Sequence, residues 1–348
     1  DIRECIGCNI CVTGDWTHTP IQCTQNPTMG EEWRRGWHPE NMNRKGHSNR
    51  VLVVGAGPAG LEAAMSLGRR GYEVSLADTN EGGGRVVKEA GLPGLSVWRR
   101  VVDYRLGQIE KLNQVMFYPG SHMDRDSIFS YGAEHVAIAT GSRWRQDGLG
   151  RANWEPLEGI ADHGSVFTPD DIVEGNLPVA GPVVVYDDDH YYLGGIIAQM
   201  LAQAGLSVTL VTPGPEVSHW TRYTMEQPRI EALLRRLGVH LEVNHKLTGV
   251  FPDRVVAVSN LTAEVQSIDA VSVVLVTARD PVNTLYFEMA GIEEERREEL
   301  PFTLERIGDC FAPSTIAASV YHGHRYAREL DLDIDRDDVP FRREYAVI

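Results

Sequence analysis

The stretch Val51-Leu-Val-Val-Gly-Ala-Gly-Pro-Ala-Gly60 decides the fold of this chain of 348 residues. Its apolar start predicts a short buried strand, and its glycines predict a tight turn. An Ala- and Leu-rich helix is expected over residues 61–70, and a second strand over residues 74–77. This order of strand, glycine turn, helix and strand is typical of the first unit of a doubly wound α/β sheet.

The same glycines predict a phosphate site, because their spacing is Gly55-x-Gly57-x-x-Gly60. In such a turn the second glycine lets the backbone approach a pyrophosphate, and the helix N-terminus directs N–H groups at the anion. Asp78, at the end of the second strand, is expected to accept hydrogen bonds from ribose hydroxyls. The alternative is a structural turn without a ligand. The residues assigned to this cradle are Gly55, Gly57, Pro58, Ala59, Gly60, Asp78 and Thr79.

A second unit of the same kind is predicted by a strand over 183–186, a helix over 191–204 and a strand over 208–211. Its turn, Tyr186-Asp-Asp-Asp-His-Tyr-Tyr-Leu-Gly-Gly195, lacks the first two glycines. Carboxylates there would repel a pyrophosphate by about 1 to 4 kcal/mol per close pair. We therefore expect a degenerate NAD-type domain that binds no NAD(P)H. A metal site at Asp187 to His190 is a weaker alternative, because neighbours in a run cannot all converge on one ion.

Four of the five cysteines lie near the start of the chain, as Cys5-x2-Cys8-x2-Cys11-x11-Cys23. Three thiolates at this spacing can face one side of an iron–sulfur cubane, and a fourth from a distant loop can complete its ligands. The sequence therefore predicts a redox protein in which these four cysteines bind a [4Fe–4S] cluster. Zinc is the main alternative, although its sites usually use two separated Cys-x2-Cys pairs. A disulfide framework is a weaker one, and the remaining cysteine, Cys310, is expected to be a buried thiol.

Together these patterns predict an α/β protein with two tandem doubly wound domains of the FAD/NAD(P)-binding type, preceded by an irregular iron–sulfur segment. The segment and its linker are assigned residues 1–48, which glycines and prolines interrupt. The first domain is assigned residues 49–150 and 301–348, because a late strand and helix are expected to return to it. Residues 151–300 are assigned to the degenerate domain.

Composition narrows the classes of function. The formal net charge of -16 argues against a nucleic-acid partner, whose phosphates this surface would repel. No apolar run approaches the length that a membrane helix needs. Thiolate ligands imply a reducing compartment, so a cytoplasmic location is expected.

Three further stretches resemble the pattern of flavoproteins that bind two dinucleotides. They are Gly82-Gly-Gly-Arg85, Ala139-Thr-Gly-Ser142 and Ile307-Gly-Asp309. In that class the Gly-Asp pair meets the flavin pyrophosphate and ribityl chain, although the adenosine half of FAD or a free ADP would suit the glycine turn equally well. The resemblance adds these residues to the cofactor site: Gly83, Gly84, Arg85, Thr140, Gly141, Gly308 and Asp309.

Seven stretches spread over nearly the whole chain point to one family. They are Cys5-Ile-Gly-Cys-Asn-Ile-Cys11, Cys23-Thr-Gln-Asn26, Gly30-Glu-Glu-Trp-Arg-Arg-Gly-Trp-His-Pro39, Val54 to Gly60, Leu92-Pro-Gly-Leu95, Ile138-Ala-Thr-Gly141 and Ile307-Gly-Asp309. Through them the chain resembles the C-terminal half of the iron–sulfur flavoprotein amine dehydrogenases (the trimethylamine, dimethylamine and histamine dehydrogenase family). The 2,4-dienoyl-CoA reductases are similar, but they place one more residue between the second and third cysteines and keep a working NADP turn.

The resemblance implies an FMN-containing barrel that oxidises the amine and lies outside this chain. Electrons would pass from FMN to the cluster and then to an electron-transferring flavoprotein, and the full-length protein would be a homodimer. ADP would occupy the glycine turn, with its adenine near His122 and Met123. This chain alone would oxidise no amine. The alternatives are FAD in the same turn, as in an NAD(P)H reductase, and a non-catalytic ADP-binding module.

Overall fold

The computed structural model describes residues 2–291 and 300–332, and the chain divides into two compact units. The first unit comprises Asp1–Val87, Val97–Ser142 and Pro281–Ile348, and the second comprises Lys88–Ser96 and Arg143–Asp280. Residues 292–299 and 333–348, which the sequence analysis assigns to the second and first domains, lie outside the described residues.

Strands occur throughout both units. In chain order they are β1 (Arg50–Val54), β2 (Glu73–Ala77), β3 (Val115–Tyr118), β4 (His135–Ile138), β5 (Ser142–Trp144), β6 (Val166–Phe167), β7 (Val183–Asp187), β8 (Val208–Val211), β9 (His240–Glu242), β10 (His245–Phe251), β11 (Arg254–Ser259), β12 (Val265–Asp269), β13 (Ser272–Val276), β14 (Arg279–Pro281) and β15 (Thr303–Arg306).

Helices lie in half of the connections between consecutive strands, and short 3-10 turns occur at Ser96–Arg99, Ile160–Asp162, His219–Arg222 and Gly308–Cys310. In chain order the α-helices are α1 (Ile10–Thr17), α2 (Glu32–Arg35), α3 (Pro58–Arg70), α4 (Arg85–Glu89), α5 (Arg100–Ile109), α6 (Arg125–Tyr131), α7 (Pro169–Val173), α8 (Tyr192–Gln203), α9 (Gln227–Arg236), α10 (Thr284–Ala290) and α11 (Ile316–Glu329).

The first unit contains a parallel sheet with the strand order β15-β4-β1-β2-β3. Its central strand, β1, is buried from Val51 to Val54 because a parallel sheet is covered on both faces. Helix α3 packs against α5 and α11. The glycine turn follows β1 at the carboxyl edge of the sheet, where ligands bind in folds of this kind.

The second unit contains a parallel sheet with the order β6-β13-β7-β8-β9, and an antiparallel sheet with the order β10-β11-β12. Leu247 and Val250 of the antiparallel sheet share one buried core with Tyr186 and Leu275 of the parallel sheet. The predicted α/β class with parallel, Rossmann-like sheets is confirmed. Among the described residues, no helix has both the length and the apolar character to cross a membrane.

The cysteine segment contains more regular structure than the sequence analysis expects. Helix α1 runs through residues predicted to be irregular, and it is bracketed by Asn9 and His18, whose φ values of 52° and 54° are left-handed. The helix has only eight residues, fewer than the window in which a helical apolar period can be recognised. The prediction of an irregular segment is therefore wrong at α1 and at the short helix α2.

Candidate functional site

The turn after β1 has two positions that require glycine and one that is open. Gly55 has a φ of +106°, and a Cβ built on it would lie 2.4 Å from the Ala139 carbonyl oxygen. A Cβ on Gly60 would lie 1.8 Å from the Gly55 carbonyl oxygen, so α3 packs directly on the turn. A Cβ on Gly57, in contrast, meets no described heavy atom within 4 Å. Gly57 therefore leaves room for a ligand next to the backbone.

Helix α3 begins directly after this turn, with Gly57 as its N-cap and Pro58 as its first residue. The first helical hydrogen bond runs from the Leu61 N–H to the Gly57 carbonyl oxygen at 2.9 Å. The N–H groups of Ala59 and Gly60 precede this bond and have no acceptor within the helix. Such a helix end favours an anion through its partial positive charge and its N–H donors.

The Asp78 carboxylate braces the glycine turn from the neighbouring strand. Its Oδ2 accepts a hydrogen bond from the Ala56 N–H at 2.6 Å, and its Oδ1 accepts one from the Asn80 N–H at 2.8 Å. Thr79 is exposed beside it. Each carboxylate oxygen can accept more than one hydrogen bond, so Asp78 can hold the turn and still accept from a ribose hydroxyl.

A second run of glycines forms a wall of the same cradle. The Gly83 N–H donates to the Ala56 carbonyl oxygen at 2.7 Å. Gly84 has a φ of +58°, and a Cβ built on it would lie 3.1 Å from the Gly57 Cα. The Arg85 guanidinium donates to the Ser142 carbonyl oxygen. The structure therefore brings the predicted residues Gly83 and Gly84 against the first glycine turn.

The predicted Gly308-Asp309 pair also reaches this turn. Gly308 has a φ of +64°, and a Cβ built on it would lie 2.5 Å from the Ala59 Cβ. The Asp309 carboxylate accepts hydrogen bonds from the Ser142 hydroxyl at 2.9 Å and from the Ser319 hydroxyl at 3.0 Å. Asp309 is thus held in place by protein donors beside the start of α3.

Thr140 and Gly141 follow β4, the strand next to β1. The Thr140 hydroxyl donates to the Val282 carbonyl oxygen at 2.5 Å and lies 3.3 Å from the Cys310 Sγ. Gly141 has a φ of +79°, and its carbonyl oxygen accepts from the Val282 N–H at 2.9 Å. Cys310 is fully buried, and burial raises the pKa of its thiol. Cys310 is therefore a buried thiol, as the sequence predicts.

His122 and Met123 lie between β3 and α6. His122 is exposed, whereas Met123 packs against the apolar cluster that contains Ile128 and Phe302. Their assignment to an adenine stays a prediction.

The four cysteines of the first segment are free thiols with different exposures. Cys5 is exposed, and Cys8, Cys11 and Cys23 are partly buried. The pKa of the Cys8 thiol is raised, mainly because the side chain is partly buried. The nearby thiols of Cys23 and Cys11 raise it further. Within residues 2–291 and 300–332, no group of three or more His, Cys, Asp or Glu side chains is arranged to hold a metal ion. The assignment of these cysteines to a cluster stays a prediction.

The backbone around these cysteines nevertheless supplies donors to sulfur. The Gly7 N–H donates to the Cys5 Sγ at 3.3 Å, and the Ile10 N–H interacts with Cys8. Thr24 places its hydroxyl 3.1 Å from the Cys8 Sγ. Gly7 has a left-handed φ of 65°, which permits the tight turn between the first two cysteines. Hydrogen bonds of this kind stabilise thiolate ligands and tune a cluster's reduction potential.

Comparison with known proteins shows what the chain is similar to. It is 36% identical to dimethylamine dehydrogenase from Hyphomicrobium sp. (strain x) over 99% of this chain and 50% of that protein. It is 48% identical to the structure of histamine dehydrogenase from Rhizobium sp. 4-9, with a TM-score of 0.94 over 99% of this chain and 53% of that one. The chain is homologous to the iron–sulfur flavoprotein amine dehydrogenases. The resemblance predicted from the sequence is confirmed.

Other matches agree with this homology. The structure of 6-hydroxypseudooxynicotine amine oxidase from Pseudomonas geniculata N1 is 41% identical, with a TM-score of 0.91 over 95% of this chain and 49% of that one. Residues 49–177 match the pyridine nucleotide-disulphide oxidoreductase family, and residues 167–269 match the OYE-like second alpha/beta domain. These matches relate the chain to families of flavin-dependent oxidoreductases. It spans about half the length of the relatives it matches.

In this amine dehydrogenase homologue, the last residue of β7 packs its carboxyl group against the start of α8. The Asp187 side chain is fully buried, and a Cβ built on Gly194 would lie 2.4 Å from its Cγ. Its Oδ1 accepts from the His190 N–H at 2.9 Å, and its Oδ2 has no partner among the described residues. Burial and the nearby Asp189 raise the pKa of Asp187 to about 8. At pH 7 this group is therefore mostly uncharged.

Asp188 is also buried, on the other side of the same turn. Its Oδ2 accepts from the Ala152 N–H at 2.9 Å, and its Oδ1 lies 3.6 Å from the His190 Nε2. Burial lowers the pKa of His190 to about 4, and Arg151 and His219 add to this, so the imidazole is neutral at pH 7. The sequence analysis expects a row of charged carboxylates at this turn. The structure corrects this detail, because Asp187 is buried against Gly194 and is mostly uncharged at pH 7.

Sequence reasoning missed a buried charged pair in the first unit. Glu62 and Arg105 are both fully buried and lie 2.8 Å apart. The available signal is Glu62 itself, a charged residue between Leu61 and Ala63 in a helix that is otherwise apolar at this point. A charge at such a position needs a partner in the core.

Proposed function

We propose that this chain is the nucleotide-binding and electron-transfer part of an FMN-dependent amine dehydrogenase. ADP would bind at the glycine turn after β1, and Cys5, Cys8, Cys11 and Cys23 would bind a [4Fe–4S] cluster. Amine oxidation would take place at an FMN held by a barrel outside this chain. The observation that carries the proposal is the 48% identity to histamine dehydrogenase across 99% of the chain.

The open glycine turn supports a nucleotide ligand. Gly57 leaves room beside the backbone, and α3 supplies N–H donors at its start. Gly83, Gly84 and Gly308 pack around the same turn, so the cradle is enclosed by backbone that can lie close to a pyrophosphate. Asp78 would then bind the ribose from its braced position.

The second unit supports ADP in preference to FAD. A flavin at the first turn is useful when NAD(P)H can deliver a hydride to it from a neighbouring site. The turn between β7 and α8 lacks the first two glycines of the fingerprint, and the Asp187 carboxyl at its start packs against Gly194. Without NAD(P)H, a flavin at the first turn would have no electron source in this chain, so a structural ADP is the simpler ligand.

The cysteine segment offers both the ligands and the hydrogen-bond donors that an iron–sulfur cluster needs. Four thiols are available, and the N–H groups of Gly7 and Ile10 and the hydroxyl of Thr24 are directed at two of the sulfurs. When bound, the cluster supplies one-electron transfer. The residues of this chain would then hold the thiolates and lower the cost of added negative charge through these donors.

The remaining parts of the proposal concern partners. An electron-transferring flavoprotein would accept the electrons, the full-length protein would be a homodimer, and the location would be cytoplasmic. The net charge of -16 disfavours nucleic acid as a ligand. Alone, this chain would oxidise no amine.

A second candidate function is an FAD-dependent NAD(P)H reductase of the 2,4-dienoyl-CoA reductase type. The match of residues 49–177 to the pyridine nucleotide-disulphide oxidoreductase family favours it. This candidate predicts a yellow protein whose flavin is bleached by NADH. A non-catalytic ADP-binding module would instead be colourless and free of iron.

An absorption spectrum with iron, sulfide and nucleotide analysis of anaerobically purified protein separates these candidates. We expect a brown protein with about four irons per chain, as in a [4Fe–4S] cluster, and with extractable ADP. Cys23→Ser should lose the iron, and Cys310→Ser, the matched control, should keep it. Loss of iron from Cys310→Ser but not from Cys23→Ser would overturn the ligand assignment, and FAD in the extract would favour the reductase.

A further inference from the structure

A buried network in the first unit joins helix α3 to the cysteine segment. Arg105 of α5 places its Nε 2.8 Å from Glu62 Oε2, and both side chains are fully buried. The other Glu62 oxygen accepts from His324 Nδ1 of α11 at 2.8 Å. Burial opposes ionisation of Glu62, yet Arg105 and His324 lower the pKa of its carboxyl to about 2. The core of this unit therefore holds a charged pair.

Arg105 also reaches Gln25, two residues beyond Cys23. Its Nη1 donates to the Gln25 Oε1 at 2.9 Å, and its Nη2 donates to the Gln25 carbonyl oxygen at 3.1 Å. The planar guanidinium can hold Glu62 and Gln25 at once because its five N–H groups point in fixed directions. A lysine ammonium keeps the charge but cannot reproduce this fork.

Gln25 in turn connects the two stretches that carry the cysteines. Its Nε2 donates to the carbonyl oxygen of Glu4, the residue before Cys5, at 2.9 Å. Its neighbour Thr24 lies 3.1 Å from the Cys8 Sγ. Gln25 itself is almost completely buried. The loop of the fourth cysteine is thus tied to the first two cysteines through Thr24 and Gln25.

We infer that Glu62 and Arg105 are positioning residues for the cluster site: they hold Gln25, and through it the loop of Cys23, against the stretch that carries Cys5 and Cys8. The inference rests on the proposed function, in which these cysteines bind the cluster. Helix α3 would then position both the nucleotide and the cluster. Its first turn faces the glycine turn, and Glu62 lies one helical turn further along.

The test compares Arg105→Lys with Arg70→Lys in the full chain. Arg70 is a matched control because it is also buried, at the opposite end of α3, and donates to the carbonyl oxygens of Ala327 and Leu330. We expect Arg105→Lys to release iron to a chelator about tenfold faster than the wild type, as for other residues that support metal ligands. Its EPR signal and reduction potential should also change. Arg70→Lys should lower the melting temperature but leave these three properties unchanged.

An Arg105→Lys protein with wild-type iron release, EPR signal and reduction potential would overturn the inference. If this variant does not fold, Gln25→Met serves in its place. It removes the side-chain amide that accepts from Arg105 and donates to Glu4, and it keeps the Glu62–Arg105 pair. Faster iron release with a changed EPR signal and reduction potential is again expected, and wild-type values of all three would contradict the inference.

A wild-type protein without iron and sulfide would contradict the proposed cluster instead. In that case the rate of Cys23 alkylation by iodoacetamide, mapped by mass spectrometry, decides the positioning role by itself. We expect alkylation to be several-fold faster in Arg105→Lys than in the wild type and Arg70→Lys. Equal rates in all three proteins would contradict the inference.

Discussion

The turn after β1 and the turn after β7 occupy the same place in two similar sheets, yet only the first is open. In the strand registers, Val54 pairs with Ala77 and Tyr186 pairs with Val211. By this register Gly55, the residue after β1, corresponds to Asp187, the last residue of β7. Gly60 packs on the bare backbone of Gly55, whereas Gly194, also the third residue of its helix, packs on the Asp187 carboxyl.

The two turns therefore differ in how the helix start is packed. In the first turn α3 packs on bare backbone, whereas in the second the Asp187 carboxyl packs under α8 and accepts the N–H of His190. The second turn is also longer, with residues 187–191 between Tyr186 and α8, compared with 55–57 between Val54 and α3.

The largest expected effect is at the open glycine of the first turn. Gly57 has a φ of -73° and a ψ of -177°, a conformation that valine adopts readily. Gly57→Val should therefore fold normally but lose about 100-fold or more in ADP affinity, because the side chain fills the space of the pyrophosphate. Calorimetric titration with ADP measures this. Gly107→Val, also at a position with open space, is the control and should bind normally.

The next effect is at Asp78. Asp78→Ala should lose a charge-assisted hydrogen bond worth about 1.5–3 kcal/mol, which corresponds to roughly one to two decades in ADP affinity. Asp78→Asn retains an acceptor for the Ala56 N–H and should lose less. The same titration ranks the two variants. Equal affinities for wild type and Asp78→Ala would show that the carboxylate only braces the turn.

A smaller effect concerns the pH dependence of stability. The pKa of Asp187 is about 8 in the folded protein, above its usual value of 3.8. Between these two pH values the Asp187 carboxyl is therefore protonated in the folded state and ionised in the unfolded state. Stability should therefore fall as the pH rises from about 4 to 8, by up to about 1.4 kcal/mol per pH unit from this group. Asp187→Asn should reduce that slope, measured as the urea midpoint at pH 5 and pH 8. Asp253→Asn, an exposed aspartate of the same unit, should keep the wild-type slope.

The smallest expected effect is at the second turn itself. Asp187→Gly restores a first glycine, but Asp188 and Asp189 and the two additional residues of the turn remain. We therefore expect no NADH binding in a fluorescence titration, as in the wild type. Saturable binding by this variant would mean that the Asp187 carboxyl alone closes the site.

The sequence predicts the first turn because its information is local. Gly55, Gly57 and Gly60 lie within six residues, directly between a strand and a helix. The sequence also indicates that the second turn differs, but it does not reveal that Asp187 is buried, since this depends on packing against Gly194. Glu62 and its partners Arg105 and His324 are 43 and 262 residues apart in the chain, so no local pattern predicts their network.

The most direct test of the comparison is a titration of NADH into ADP-saturated wild-type protein. Saturating ADP occupies the first turn, so any further binding reports on the second. We predict one ADP per chain, no saturable heat on addition of NADH, and no bleaching of a bound chromophore. Saturable NADH binding at micromolar concentration with ADP still bound would contradict the account, because the turn after β7 would then be an open cradle.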